Sequence, residues 1–272
     1  MNTPSVATPI SAVLITLNSE RLLGSVLDAL QWCAEIVVVD SGSTDSTLQI
    51  ARERGARVLH RDFDGFGPQK RFAVAQAVHD WVLVVDADEV VTPELRAEIQ
   101  NRVGREEGVV GYNVPISLIF MERLMRYGSE YKMPHLRLFN RTFGTYNLSH
   151  VHEDVELSGG RVLTLKDHML HDSYGSMHEY FEKLNRYTTA GARELDRRGR
   201  KASTAQVVFR LPLTFLKEYL LKKNILNGYP GFVWSLFSAM YPVVKYAKLH
   251  ELQQKRPSPE ERPVRMYENR TH

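Results

Sequence analysis

The chain has a single cysteine, Cys33, among its 272 residues. No intrachain disulfide can form and no thiolate metal site can be assembled, which agrees with a reducing compartment. The N-x-S/T triplets at Asn140, Asn147 and Asn269 are then chance matches, because glycosylation would require export. The opening residues, MNTPSVATPI, hold no basic stretch followed by an apolar core, so no secretory signal is expected. Charge of one sign is also scarce, since the formal net charge is only +3, and 43% hydrophobic with 25% charged residues are ordinary globular proportions. No internal repeat is present. These absences leave a cytosolic chain long enough for one large domain, or one domain with an appendage.

What is present begins with alternation. SAVLITL (11–17), EIVVVD (35–40), ARVLHR and WVLVVD (81–86) read as strands. ERLLGSVLDALQW (20–32), TLQIARERG (47–55) and QKRFAVAQAVH (69–79) between them carry helical spacing. Strands parted by single helices imply right-handed βαβ units and a parallel sheet buried on both faces. After a helix around residues 93–103 the pattern changes to GVVGYNVPISLIF, HLRLFNR and RVLTL. These predict shorter strands in a mixed β region able to cover the carboxyl edge of the sheet. From Ser176 the chain turns helical, and QQKRPSPEERPVRMYENRTH at its end is polar and proline-rich, the composition of a disordered tail.

Two strand ends carry the chemistry. VVVDSGSTDST (37–47) stops a buried strand at Asp40 and opens onto small polar residues. An ordinary strand-to-helix turn with Ser43 or Thr44 as cap would account for it, and so would a nucleotide pocket at the carboxyl end of a parallel strand. VVDADE (84–89) delivers Asp86 and Asp88 from the fourth strand. Such hard oxygen ligands suit Mg²⁺ or Mn²⁺, with substrate phosphates and water completing the shell. Acids after a strand are also common turn formers; the placement at the end of an α/β sheet is what gives this pair meaning.

Together, ITLNSE, VVDSGSTDST, FDGFGPQKRFA, VLVVDADE, LRLFNR, VHEDV, LHDSY and YLLKKNILNGYPGF resemble glycosyltransferase family 2 enzymes of the GT-A fold. The later motifs look most like the branch of inner-core lipopolysaccharide β-1,4-glucosyltransferases. The resemblance implies an α/β GT-A domain with a C-terminal helical appendage. Thr16 and Asn18 would lie by the uracil and ribose, and Asp40 would contact the base. Gly42 and Ser43 would allow close backbone approach, Lys70 would reach the nucleotide or its phosphates, and Asp86 would contact ribose or the metal's waters. Asp88 would hold the metal, completed by His171 of LHDSY. A divalent cation suits this chemistry on independent grounds, because the diphosphate leaves with negative charge.

Inverting transfer also needs a base for the acceptor hydroxyl. Glu153 and Asp154 are the candidates; if their segment is extended they point to opposite faces, so one alone can face the acceptor. Glu153 is favoured by the resemblance, and a solvated acidic pair is the ordinary alternative. His150, His152, His168 and His171 could be drawn as a zinc site, but their spacing is no tight metal signature. Arg137 and Arg141 would alternate onto one strand face and could bind an anionic acceptor, or simply be solvated.

The helical part is distinctive in charge. Residues 193–223 hold nine Lys or Arg against three acids, although the whole chain is only +3. Such a local concentration points to an anionic surface. The following NILNGYPGFVWSLFSAMYPVV (224–244) is uncharged, but its prolines, glycines and asparagines argue against a membrane span. A membrane-facing helical appendage is therefore expected. Arg197, Arg198, Arg200, Lys222 and Lys223 would attract headgroups, and Phe232, Trp234 and Tyr241 would insert shallowly. A soluble homodimer with Trp234 in its interface is the alternative. The expected division is a catalytic domain over 8–175, an appendage over 176–252 and a tail over 253–272. The function implied is inverting transfer of a hexose, glucose from UDP-glucose, to a lipid-linked saccharide such as lipopolysaccharide core heptose. It would act on the inner face of the cytoplasmic membrane, with Mg²⁺ or Mn²⁺ and no nucleic-acid partner. Transfer to a polyprenyl phosphate, or a non-catalytic nucleotide- or saccharide-binding role, are the rivals.

Overall fold

Strands with no polar face can be satisfied only inside a sheet covered on both sides. The computed structural model describes residues 8–149, 153–201 and 204–254, and the chain divides into two compact units after Ser173. The first opens with β1 (Ile10–Thr16), α1 (Glu20–Asp28), β2 (Glu35–Asp40), α2 (Thr47–Glu53), β3 (Arg57–His60), α3 (Phe66–Gln76) and β4 (Trp81–Val84). The four strands are parallel in the order β3-β2-β1-β4. Alternate residues of each strand enter opposite cores, as the two-residue period dictates. Leu14, Val38 and Leu83 pack with Leu23 and Leu27 of α1. Val13, Val37, Val39 and Val82 pack with Ala73 and Val74 of α3 on the other face.

The mixed region then builds β5 (Glu89–Val91), α4 (Pro93–Arg102), β6 (Val109–Phe120), β7 (Arg123–Leu124), β8 (Met133–Asn140), β9 (Gly144–Tyr146), β10 (Val155–Leu157), β11 (Arg161–Thr164) and β12 (Met169–His171). Here the structure departs from expectation. The region extends the sheet rather than covering its edge, continuing the order as β4-β8-β6-β12-β5. β6 is also long, at 12 residues, because it alone pairs with β7, β8, β11 and β12. Among the described residues only the β9–β10 pair forms a separate sheet. α4 starts as its sequence suggests, with Thr92 accepting from the Leu95 amide at 3.2 Å and a proline in the first turn.

The second unit is helical: α5 (Met177–Arg197), α6 (Thr204–Leu216), a π-helical turn (Lys217–Leu221), a 3-10 turn (Asn224–Asn227) and α7 (Gly228–Gln254). Ser176 caps α5 by accepting from the Glu179 amide at 3.2 Å. Lys248 of α7 donates to the Asn185 carbonyl of α5 at 2.7 Å. Trp234 and Tyr241 are half-buried. They line a groove of ≈ 270 Å³ within this unit with Tyr174, Tyr180 and Tyr187, and the Trp234 ring lies 6.2 Å from that of Tyr180. Among the described residues no helix is long and apolar enough to cross a membrane. Gln253 and Gln254, expected in the tail, end α7, and the rest of the expected tail lies outside the described residues.

Candidate active site

The carboxyl ends of β1, β2 and β4 lie along one edge of the sheet, since all three run parallel and β1 sits between the others. At the end of β2, Asp40 is buried and turned onto its own loop. The amides of Gly42 and Ser43 each donate to it at 2.8 Å, and the hydroxyls of Ser43 and Thr16 donate at 2.5 and 3.0 Å. Burial alone would raise its pKa, but these bonds hold it below the ordinary carboxylate range. Gly42 makes the turn possible with φ +98°. Asn18, also left-handed at φ 49°, accepts from the Thr44 amide at 2.9 Å, and its own amide donates to Ser43 at 2.8 Å. Thr16, Asn18, Asp40, Gly42 and Ser43 thus form one interlocked pair of strand-end loops.

The end of β4 is organised over longer range. Asp86 accepts from Lys70 of α3 at 3.0 Å and from Arg137 of β8 at 2.6 Å. Arg137 reaches on to Glu89 at 2.8 Å, and Lys70 reaches on to Glu153 at 2.9 Å. The result is a chain of alternating charge, Glu89, Arg137, Asp86, Lys70, Glu153. Burial would raise the Asp86 pKa, yet Arg137 and then Lys70 hold it far below the usual range. Glu89, only 1% exposed, is pushed up by burial and by Asp86 despite Arg137. Burial would lower Lys70, but Asp86 above all keeps it raised and charged. Tyr146 closes the cluster, with Lys70 5.7 Å from its ring centroid. The Arg137 Nε is buried without a hydrogen-bond partner.

Lys70, Asp86, Arg137, Tyr146 and Glu153 line a cleft of ≈ 410 Å³ together with His135, Leu136, Asp154 and Val155, while Glu89 stays buried and is linked to it through Arg137. Glu153 is half-buried against Lys70 while Asp154 is exposed. The loop before them is held to α3 by a bond from the Gly67 amide to the Ser149 carbonyl at 3.1 Å. A Cβ at Gly67 would collide with the carbonyl oxygens of Asn147 and Ser149, which is the physical need for glycine in GFGPQKR.

Asp88 and His171 meet beside this cleft, with Oδ2 3.3 Å from Nε2. β12 pairs with β5, which sets His171 opposite Glu89. Burial would lower the His171 pKa, but the Asp88 contact raises it. The pair offers one carboxylate and one imidazole donor at a strand end, which fits a divalent cation whose remaining positions are filled by substrate phosphates and water. Among the described residues no group of three His, Cys, Asp or Glu is placed to hold a metal. His150 and His152 lie outside the described residues. His168 packs 5.9 Å from the Tyr131 ring, and burial lowers its pKa.

The two arginines do not meet at one site. Arg137 is buried in the charge chain, whereas Arg141 lies past the end of β8, its Nε donating to the His79 carbonyl at 2.9 Å. β8 runs antiparallel to β4, so Arg141 sits at the opposite edge of the sheet from the cleft. Sequence reasoning does not single out Glu89, His135 or Tyr146. The one trace is for Glu89, an acid followed directly by the apolar pair of a strand.

A model described as Glycosyl transferase family 2 matches residues 11–152. The chain is 31% identical over 253 residues to the lipopolysaccharide core biosynthesis glycosyltransferase LpsC of Rhizobium meliloti (strain 1021), covering 89% of this chain and 92% of that protein. An uncharacterized glycosyltransferase of Rickettsia typhi (strain ATCC VR-144 / Wilmington) is 29% identical over 256 residues, covering 89% of this chain and 87% of that protein. Among solved structures, glucosyl-3-phosphoglycerate synthase from Mycobacterium tuberculosis, in complex with Mn²⁺, uridine diphosphate and glucosyl-3-phosphoglycerate, is similar at 28% identity. That likeness covers 41% of this chain and 45% of the synthase, with a TM-score of 0.37. The chain belongs to glycosyl transferase family 2.

Proposed function

We propose that the protein is a metal-dependent inverting glycosyltransferase that moves a hexose, glucose from UDP-glucose, to a lipid-linked saccharide of the lipopolysaccharide core type. The observation that carries this is the charge chain from Glu89 to Glu153, running through the cleft beside the Asp88–His171 pair. The chain-long similarity to a lipopolysaccharide core enzyme supports the acceptor class.

Thr16, Asn18, Gly42 and Ser43 shape the donor's nucleoside end of the edge, with Asp40 holding their loop. Asp88 and His171 would hold the divalent cation, which when bound supplies positive charge for the departing diphosphate. Asp86 stays ionised beside them because Arg137 and Lys70 flank it. Glu153 is the base: its carboxylate accepts the proton of the acceptor hydroxyl as that oxygen attacks the anomeric carbon. Lys70 is shared between Asp86 and Glu153, so it ties the donor side of the cleft to the acceptor side. An arriving diphosphate competes for Lys70 and frees Glu153 to face the hydroxyl. The test is a panel of nucleotide sugars offered with extracted lipid acceptors and Mn²⁺, read by mass spectrometry. A hexose added to a lipid-linked glycan is expected; no product with any donor would overturn the reading.

A further inference from the structure

The turn between the last two long helices has a built inner side. Phe215 and Tyr219 stack at 5.2 Å, and both rings meet Phe232 of α7, at 5.7 and 5.9 Å. Buried Asn224 donates to the Glu218 carbonyl at 3.1 Å and accepts from Asn227 at 2.9 Å. A side chain at Gly231 would collide with the Asn224 carbonyl, so the 3-10 turn can rest on α7 only because that position is glycine. These contacts explain the polar and small residues of NILNGYPGF, and they hold the helical hairpin in one shape.

The outer side is apolar and uncovered. Phe209, Leu213, Leu216 and Leu220 follow one another at helical spacings of four, three and four, one stripe along α6 and the π turn. Leu221 and Tyr229 continue it around the turn at 79% and 68% exposure. A run of this kind on a protein surface marks an interaction site. Its charge is one-sided. From 204 to 232 the exposed charged residues are Arg210, Lys217 and Lys223, and the one acid, Glu218, is paired with Lys222 at 2.7 Å. A second copy docked on this face about a two-fold axis would set a patch whose unpaired charges are all positive against the same patch. An anionic bilayer satisfies both properties, taking the apolar stripe at the acyl boundary and the lysines among its headgroups.

We propose that the stripe and turn from Phe209 to Tyr229 form a surface that inserts shallowly into an anionic lipid bilayer. The contact is thereby moved from Trp234 and Tyr241, which are half-buried and line a groove, to the outer face of the hairpin. The inference deepens the proposed function, whose lipid-linked acceptor it would meet. It is read without donor or acceptor, so the two can fail separately.

The full chain is floated with vesicles of phosphatidylcholine alone and of phosphatidylcholine mixed with phosphatidylglycerol, at low and high salt. Binding to the mixed vesicles is expected, weaker at high salt because headgroup attraction is screened. Leu221→Glu with Tyr229→Glu, and separately Lys217→Glu with Lys223→Glu, should each lower that binding by roughly tenfold or more. Both sites are solvent-facing, and an unchanged melting curve with an unchanged far-ultraviolet circular dichroism spectrum would show the variants folded. Indifference of the unaltered chain to anionic lipid overturns the proposal. So does equal binding by folded variants, or a dimer dissociated by the same substitutions with no lipid bound.

Discussion

Two strands of the parallel sheet run into the same three letters. VVD closes β2 at Asp40, and VVD leads out of β4 at Asp86. At the first, the carboxylate folds back onto the amides of Gly42 and Ser43. At the second it reaches a helix and another strand, through Lys70 and Arg137. The difference starts with glycine: Gly42 at φ +98° lets two amides turn onto the acid. The residues after Asp86 cannot do this, and the acid takes its partners from elsewhere. A locally satisfied acid organises a loop, whereas one satisfied at long range ties together elements that must meet for chemistry.

The sharpest way to break this comparison is at the metal side of β4. Asp88→Ala should lower metal-dependent turnover by roughly 10²–10³-fold or more, the scale for losing a transition-state charge partner. Mn²⁺ affinity measured by calorimetry should fall with it, while the melting temperature stays nearly unchanged. Near-normal turnover and metal affinity would remove Asp88 from the site.

Arg137→Met should be the most destabilising change among these residues. It strands Asp86 and Glu89 without their shared cation, at a cost of roughly 3–5 kcal/mol in urea unfolding. Adding Asp86→Asn and Glu89→Gln should recover much of that loss. If the single variant costs under ~1 kcal/mol, the charge chain is not what holds the cleft.

Glu153→Gln should cut turnover by ~10²-fold or more with donor affinity almost untouched. Should Asp154→Asn give that loss instead, the base is the exposed acid and the Lys70 contact is structural.

The smallest effect belongs to the other strand end. Asp40→Asn weakens bonds to two amides and two hydroxyls and should cost roughly 1–3 kcal/mol. Because the folded pKa of Asp40 is depressed, its stabilisation is present above the unfolded value of about 3.9. It is lost as pH falls through the folded value. The gap in melting temperature between the two proteins should therefore be wider at pH 7 than well below pH 3. A raised donor KM with no change in melting would make Asp40 a donor contact rather than the organiser of its loop.

Much of the first unit was legible. β2 coincides with EIVVVD, α4 with the stretch after Thr92, and the parallel order follows from helices placed singly between strands, because each of these depends on neighbours in sequence. The mixed region was not legible. HLRLFNR and GVVGYNVPISLIF are visibly strands, but which edge they join depends on pairing across the chain. For the same reason Arg137 and Arg141 look like one face, while β8 places them at opposite edges of the sheet. Trp234 misleads differently. An aromatic in an uncharged stretch reads as fit for a membrane face, and only the structure shows its contacts with Tyr174 and Tyr180.

The sequence by itself determined the four parallel strands, their crossover helices, the glycines at residues 42, 67 and 231 and the acids at the strand ends, because propensity, period and backbone freedom act over a few residues. Tertiary structure alone decided which acid meets which cation, that Tyr146 joins the cleft and Glu89 backs Arg137, and which face of the last helices stays uncovered. Those depend on desolvation and on partners brought together from distant positions, and no local pattern records where a chain will return.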